Sequence, residues 1–313
     1  MLYPALLLGC LAVGTVPAAA ALVSARWPYR SPAAAILLWQ ALGLSWGLAA
    51  VGTLAGAGAV PARFGIAGGA LAGASRAFRD VSLRLGTVGG LAASLRLMFI
   101  TAGAALLILL CWVLVASSAA VLRARRRQRT LLSLLAHGDP KVPGALVVDH
   151  APAAAYCVPG LRSRIVISAG TLDLLDQAEL AAVLDHERAH LRERHDLVLL
   201  PFSALRRAFP RASLPRQAQH TVGLLIEMLA DDYARRNCPA RELATALIRV
   251  GALGEGRAPS GALAVAAPPQ EMAARVARLL TPAPRLSRAA VAAVCATAAV
   301  LVAIPAVLLV FSF

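Results

Sequence analysis

Residues 176–190, DQAELAAVLDHERAH, decide how the centre of this chain folds. Asp176 followed three residues later by Glu179 is a capping box, in which each side chain accepts a hydrogen bond from the other residue's backbone N–H at a helix start. Leu180 and Leu184 then recur at the four-residue spacing of one helical face. The stretch therefore predicts a long helix that begins after Asp176 and buries an apolar face.

The same helix carries the pattern H-E-x-x-H, at His186, Glu187 and His190. A spacing of four residues puts both imidazoles on one face, one turn apart, where their nitrogens can bind one Zn²⁺ at about 2.0–2.1 Å. Glu187 lies beside them and can accept a proton from an attacking water. Such a short string also occurs by chance on charged helices, so a metal site needs a third ligand.

A second predicted helix, at about 215–236, supplies Glu227 and Asp231. They are four residues apart and share a face, and the residues around Glu227 are apolar, where a carboxylate needs a partner. We expect Glu227 to complete a His₂Glu zinc site. We expect Asp231 to accept the free N–H of a ligating histidine. The alternative is a solvated acidic edge without a metal.

Two further histidines rank below these ligands. His195 follows His190 by five residues, so a continuous helix would point it off the metal face, and we expect it to form a polar pair with Asp196. His220 precedes Glu227 by seven residues and shares its face, so it could touch the site or a substrate.

The composition predicts a membrane protein. Hydrophobic residues make up 59% of the 313 residues, whereas a soluble domain carries roughly 45–50%. Segments of about 20 apolar residues predict membrane spans, and they lie at about 2–23, 33–60, 97–122 and 289–311. The first could instead be a signal peptide, but no basic residue precedes it, so we expect a span.

The placement of arginine predicts the orientation. Residues 123–129 hold five arginines directly after the third predicted span, which favours the cytoplasmic side for this end. The predicted fold class is an integral membrane α-helical protein of about four spans with an inserted α+β zinc metallopeptidase domain. Residues 1–122 would form three transmembrane helices, with an external loop at about 61–96 whose arginines fit an amphipathic surface helix. Residues 123–288 would form the cytoplasmic peptidase domain, and 289–313 the fourth transmembrane helix.

Inside the polar region the pattern is mixed. Short strands are predicted at 145–149, 154–157 and 164–168, further helices at about 242–253 and 270–280, and a Gly/Pro-rich loop at 254–269.

Charge and cysteine content exclude other classes. The net charge of +15 fits an anionic membrane surface, and the sequence contains no nucleic-acid-binding module, so we expect lipid contacts and no direct nucleic-acid binding. The five cysteines show no C-x-x-C spacing, which argues against a thiolate zinc site or a disulfide framework.

Several of these segments resemble gluzincin-type integral membrane peptidases, and most closely the BlaR/MecR-type antibiotic-sensor metallopeptidases. They are RIVIS at 164–168, LDLL at 172–175, HERAH at 186–190, AYC at 155–157 before Pro159-Gly160, and RVARLL at 275–280. The resemblance implies a cytoplasmic zinc domain between the third and fourth spans. It also implies Glu187 as catalytic base, with His186, His190 and Glu227 as zinc ligands.

One departure from the family concerns the sensor. The best-known members continue into an extracellular penicillin-binding domain, whereas this chain ends at Phe313 after the fourth predicted span. The only lysine, Lys141, has no serine three residues before it, so we expect no S-x-x-K acylation site and no covalent β-lactam sensing.

The resulting hypothesis is a zinc endopeptidase of the bacterial inner membrane that cuts a cytoplasmic or membrane protein in signal transduction, such as a transcriptional repressor. An edge strand near 153–157 would bind the substrate by main-chain pairing. The alternatives are an HtpX-type quality-control protease, which would cut many proteins, and a non-catalytic transmembrane receptor.

Overall fold

A computed structural model describes residues 2–59, 65–83, 88–140, 142–160, 163–253, 269–281 and 284–311. Its α-helices are α1 Leu2–Ser24, α2 Pro32–Gly58, α3 Gly65–Leu83, α4 Val88–Leu135, α5 Ala169–Leu174, α6 Gln177–Arg192, α7 His195–Ala208, α8 Ser213–Ala234, α9 Ala240–Leu253, α10 Pro269–Leu280 and α11 Arg288–Phe311. The strands are β1 Ala136–Gly138, β2 Ala145–Val148, β3 Ala155–Val158 and β4 Arg164–Ser168. The predicted loop at 254–269 falls almost wholly outside the described residues.

Helices α1, α2, α4 and α11 are each long and apolar enough to cross a membrane, by length and composition. They coincide with the four predicted spans, so the structure is compatible with that topology. Small residues let them approach closely. A methyl group at Gly52 of α2 would lie 2.7 Å from Leu8 of α1 and 2.9 Å from Leu309 of α11, so glycine allows this three-helix contact.

Most of the segment between the second and third predicted spans is helical. Helix α3 occupies much of the predicted external loop at 61–96 and packs against α2, α4 and α11. Helix α4 then continues unbroken through residue 122, where the peptidase domain was predicted to begin, and ends at Leu135. Its 48 residues correspond to about 70 Å, more than twice the roughly 30 Å of a bilayer core. The helix therefore extends from the apolar bundle to the sheet.

The sheet has the strand order β1-β2-β4-β3. β2 and β4 are parallel, while β1 and β3 are antiparallel to their neighbours. Ile165 and Ile167 of β4 pack with the apolar face of α6, and Val166 points to the other side, against Leu132 of α4. Burial on both faces explains why β4 is a continuous apolar run. β3 bonds only β4, and no other described strand covers its outer edge.

The capping box predicted for α6 is confirmed: Asp176 accepts from the N–H of Glu179, and Glu179 accepts from the N–H of Asp176. The chain leaves α6 at Arg192 and passes through Arg194, which has a left-handed backbone (φ 52°). It then starts α7 at once. Helix α8 packs against both α6 and α7 and joins a core with α1 and α2, so it lies between the apolar bundle and the H-E-x-x-H helix.

Candidate metal centre

Three side chains from α6 and α8 converge in the structure. His186 Nε2 lies 3.1 Å from His190 Nε2, 3.3 Å separate His186 Nε2 from Glu227 Oε2, and 3.5 Å separate His190 Nε2 from Glu227 Oε1. Among the described residues these three form the group that could hold a metal ion. Nitrogen and oxygen ligands that lie about 2.0–2.1 Å from a tetrahedral Zn²⁺ are about 3.3 Å from one another. The three side chains are therefore already spaced as the ligands of a divalent cation.

Glu187 is buried next to this group, and the thiol of Cys157 on β3 lies close enough to interact with its carboxylate. Burial raises the pKa of Glu187 to about 7. A carboxyl group with a pKa near neutrality can both accept and return a proton during one catalytic cycle. Burial also raises the pKa of the Cys157 thiol far above its usual range, so this thiol stays protonated.

Asp231, the residue expected to partner a ligating histidine, lies behind His186. Its Oδ1 is 3.0 Å from His186 Nδ1, although the N–H direction deviates from a linear hydrogen bond. Arg275 of α10 donates two hydrogen bonds to the same carboxylate, from Nε (2.8 Å) and Nη2 (2.7 Å). Its Nη1 lies 3.0 Å from Glu227 Oε2. One guanidinium thus holds both carboxylates of α8 that face the site.

Residues 121–215 match the family model of Peptidase family M48. M48 metallopeptidases are metal-dependent. The matched segment runs from the end of α4 through the sheet to the start of α8 and includes His186, Glu187 and His190. Glu227 and Arg275 lie beyond it. The match supports a metallopeptidase function for this chain. Neither a curated protein nor a solved structure matches the chain.

The electrostatics of this candidate centre differ between its two histidines. Burial alone would lower the pKa of His186, but its contacts with Asp231 and Glu227 outweigh burial and raise the pKa to about 10. Burial lowers the pKa of His190 to about 3. In the metal-free protein at neutral pH, His186 is therefore protonated and His190 is neutral.

The two carboxylates are ionised. Burial alone would raise the pKa of Asp231, but Arg275 and His186 outweigh it and lower the pKa to about 2. Burial acts on Glu227 in the same direction, and neighbouring His190 and Arg275 hold its pKa well below the usual range. The centre therefore presents anionic oxygen to a cation at neutral pH.

His195 does not lie where a continuous helix would put it, and the expectation that it points away from the site and pairs with Asp196 was wrong. Because α6 ends at Arg192 and the chain turns, the buried His195 ring folds back, and its Nδ1 is 3.0 Å from His190 Nδ1. Asp196 instead accepts a hydrogen bond of 2.7 Å from Arg125 of α4. His195 is not one of the three converging donors, as expected.

His220 and Arg275 show the limits of reasoning from one helix. His220 contacts the carboxylate of Glu271 of α10 through Nε2 on the exposed side of α8, and it is not one of the three converging residues. Arg275 was part of the RVARLL segment but had no predicted role. Its position within an otherwise apolar helical face was the available signal, because a buried arginine requires an anionic partner.

Proposed function

We propose that this chain is a membrane-bound zinc endopeptidase that hydrolyses peptide bonds in a cytoplasmic or membrane protein. The observation that carries the proposal is the convergence of His186, His190 and Glu227, with Glu187 buried beside them. Two imidazoles, one carboxylate and an open position form the donor set of catalytic zinc sites. A bound Zn²⁺ would supply Lewis-acid chemistry, polarising the scissile carbonyl and making water more acidic.

Three side chains besides the metal ligands would take part in the reaction. Glu187 accepts the proton of the attacking water and returns it to the leaving amine, a role that suits its pKa of about 7. Asp231 holds the ring of His186 through Nδ1, so that Nε2 faces the other donors. Arg275 holds Asp231 and Glu227 in place.

The free edge of β3 supports a mode of substrate binding. β3 pairs with β4 on one side, and it packs against α6 with Cys157 beside Glu187, so the strand lies beside the proposed catalytic base. An extended peptide could add to this edge by main-chain hydrogen bonds at about 153–157. Its scissile bond would then lie close to Glu187 and the three donors.

The biological role we propose is regulated proteolysis in the bacterial inner membrane, with the peptidase domain in the cytoplasm and a protein such as a transcriptional repressor as substrate. Four apolar helices and the arginine run at 123–129 support this placement. The resemblance to BlaR/MecR-type peptidases supports the signalling role. An HtpX-type quality-control protease would have the same metal centre and differ in the breadth of its substrates.

The decisive experiment replaces Glu187 with Gln in the purified full-length protein. The variant should keep its zinc, measured by elemental analysis, and lose cleavage of a casein or peptide-library substrate. His186→Ala should lose the metal itself. Glu193→Gln is the matched control, because Glu193 is exposed at the end of the same helix, and it should keep both properties. Equal cleavage by wild type and Glu187→Gln, or a metal-free wild type, would refute the proposal.

Two cellular measurements test the role. New protein termini compared between cells with wild type and Glu187→Gln should show few cleaved proteins for a regulatory enzyme and many for a quality-control enzyme. Topology reporters fused within 130–285 should give a cytoplasmic signal, and a periplasmic signal would overturn the proposed orientation.

A further inference from the structure

The two ring nitrogens of His190 face different partners. Nε2 points to His186 Nε2 and Glu227, at 3.1 and 3.5 Å, whereas Nδ1 lies 3.0 Å from His195 Nδ1. A nitrogen that binds a cation must offer a lone pair, so a neutral His190 with Nε2 as ligand carries its hydrogen on Nδ1. That hydrogen can only be donated to a lone pair on His195 Nδ1. His195 must then carry its own hydrogen on Nε2.

His195 is held rigidly enough to act as such an acceptor. Its side chain is buried, and it is the first residue of α7, directly after the left-handed turn at Arg194. The next residue, Asp196, forms an ion pair with Arg125 of α4, and both side chains are largely buried. The start of α7 is therefore fixed to the long helix that contains the third apolar span.

We propose that His195 is a positioning residue for the metal centre: it accepts the Nδ1–H of His190 and fixes that ring so that Nε2 faces the cation, while the Arg125–Asp196 pair anchors it from α4. This inference rests on the proposed function. The two ligand histidines then have different partners, since Asp231 faces His186 and a neutral imidazole faces His190. A neutral partner orients the ring without adding another buried negative charge beside Glu227 and Asp231.

The test compares His195→Leu with His195→Asn in the detergent-purified full-length protein. The two side chains have nearly the same size and branching, but only Asn has an oxygen that can replace Nδ1 as acceptor. Zn²⁺ and Co²⁺ affinities would be measured by competition with a chelator, together with the Co²⁺ absorption spectrum. His150→Leu is the control, because His150 is exposed in the loop after β2.

Loss of a ligand's hydrogen-bond partner costs 10–100-fold in metal affinity. We expect His195→Leu to bind roughly 10–100-fold more weakly with an altered Co²⁺ spectrum, and His195→Asn to recover most of the affinity and the wild-type spectrum. Arg125→Met should weaken binding in the same direction but less. Equal affinity in His195→Leu and wild type, or equal loss in the Leu and Asn variants, would overturn the inference.

The melting temperatures of the metal-free proteins separate folding from positioning. If His195→Leu does not fold, the Asn variant alone decides: wild-type affinity supports the inference, and a loss like that expected for Leu overturns it. Failure of the proposed function is a different result, because wild type itself would then bind neither Zn²⁺ nor Co²⁺.

Discussion

Replacing Arg275 with Met should destabilise the protein strongly even before any metal is added. The guanidinium is only 4% exposed and makes short contacts with Asp231 (2.7 and 2.8 Å) and Glu227 (3.0 Å). Met fills a similar volume but pairs with neither carboxylate. Asp231, 1% exposed, would retain only its contact with His186. The two ionised carboxylates would then have only the protonated His186 as counter-charge, which leaves one negative charge uncompensated.

Removing one partner of a buried ion pair costs about 3–5 kcal/mol, because the remaining charge is left uncompensated. The matched control is Arg249→Met in α9. Arg249 also contacts a carboxylate, Glu179, at 2.7 Å; the arginine side chain is 46% exposed and the glutamate 5%. Because solvent screens the Arg249 charge and Glu179 keeps its hydrogen bond from the N–H of Asp176, we expect a cost near the roughly 0–1 kcal/mol of exposed pairs. The two variants should therefore differ by roughly 3 kcal/mol in the free energy of unfolding.

Cys157 offers a local assay, because it is fully buried between the sheet and α6. In a single-cysteine version that keeps only Cys157, pulse alkylation at increasing denaturant reports unfolding of this region in detergent. The midpoint for Arg275→Met should fall well below that for Arg249→Met. Coinciding midpoints would refute the view that Arg275 neutralises the buried carboxylates.

Two further predictions concern the same centre, and a third concerns the start of α6. The pKa of His186 is raised to about 10, so this residue must lose a proton to bind a cation. Metal affinity measured by calorimetry should therefore rise roughly tenfold per pH unit between pH 6.5 and 8.5, and a pH-independent affinity would contradict this. Glu187 must be ionised to act as base, and burial raises its pKa to about 7. The value of kcat/KM at saturating metal should therefore fall as the pH drops below neutral, and a value that rises from pH 7 to pH 5 would exclude this role. Asp176→Ala removes the N-cap of α6 and should lower stability by about 1 kcal/mol in the alkylation assay, whereas a neutral substitution would mean that the capping box contributes nothing.

Features that depend on local spacing could be predicted from the sequence. The capping box located the start of α6, and β2 and β4 were evident because their alternating or continuous apolar residues reflect burial against α4 and α6. The approach of Glu227 to the two histidines, and of Asp231 to His186, was also expected from spacing. Each pair lies one turn apart on its own helix, so only the meeting of two faces had to be assumed.

Features that depend on how distant segments meet could not be predicted. His195 was misplaced because a helical wheel was extended past Arg192, and nothing before Arg194 signals the turn, since it uses neither Gly nor Asn. Arg275 reaches Asp231 across 44 residues of chain, a distance at which spacing carries no information. Strand β1 is three residues long and too short to show a pattern.

The outer edge of β3, which no other described strand covers, has a consequence for what the proposed peptidase could cleave. A chain that lies along four or five strand residues must be extended for about 15 Å, and folded domains rarely offer such a stretch without opening locally. Local unfolding of the substrate protein costs between about zero in a frayed linker and the full free energy of unfolding in its core. Each 1.4 kcal/mol of that free energy would slow proteolysis about tenfold. The choice of the cleaved bond would therefore depend on how easily the substrate protein unfolds at that bond. A ligand that destabilises this part of the substrate could then trigger its cleavage without binding the peptidase.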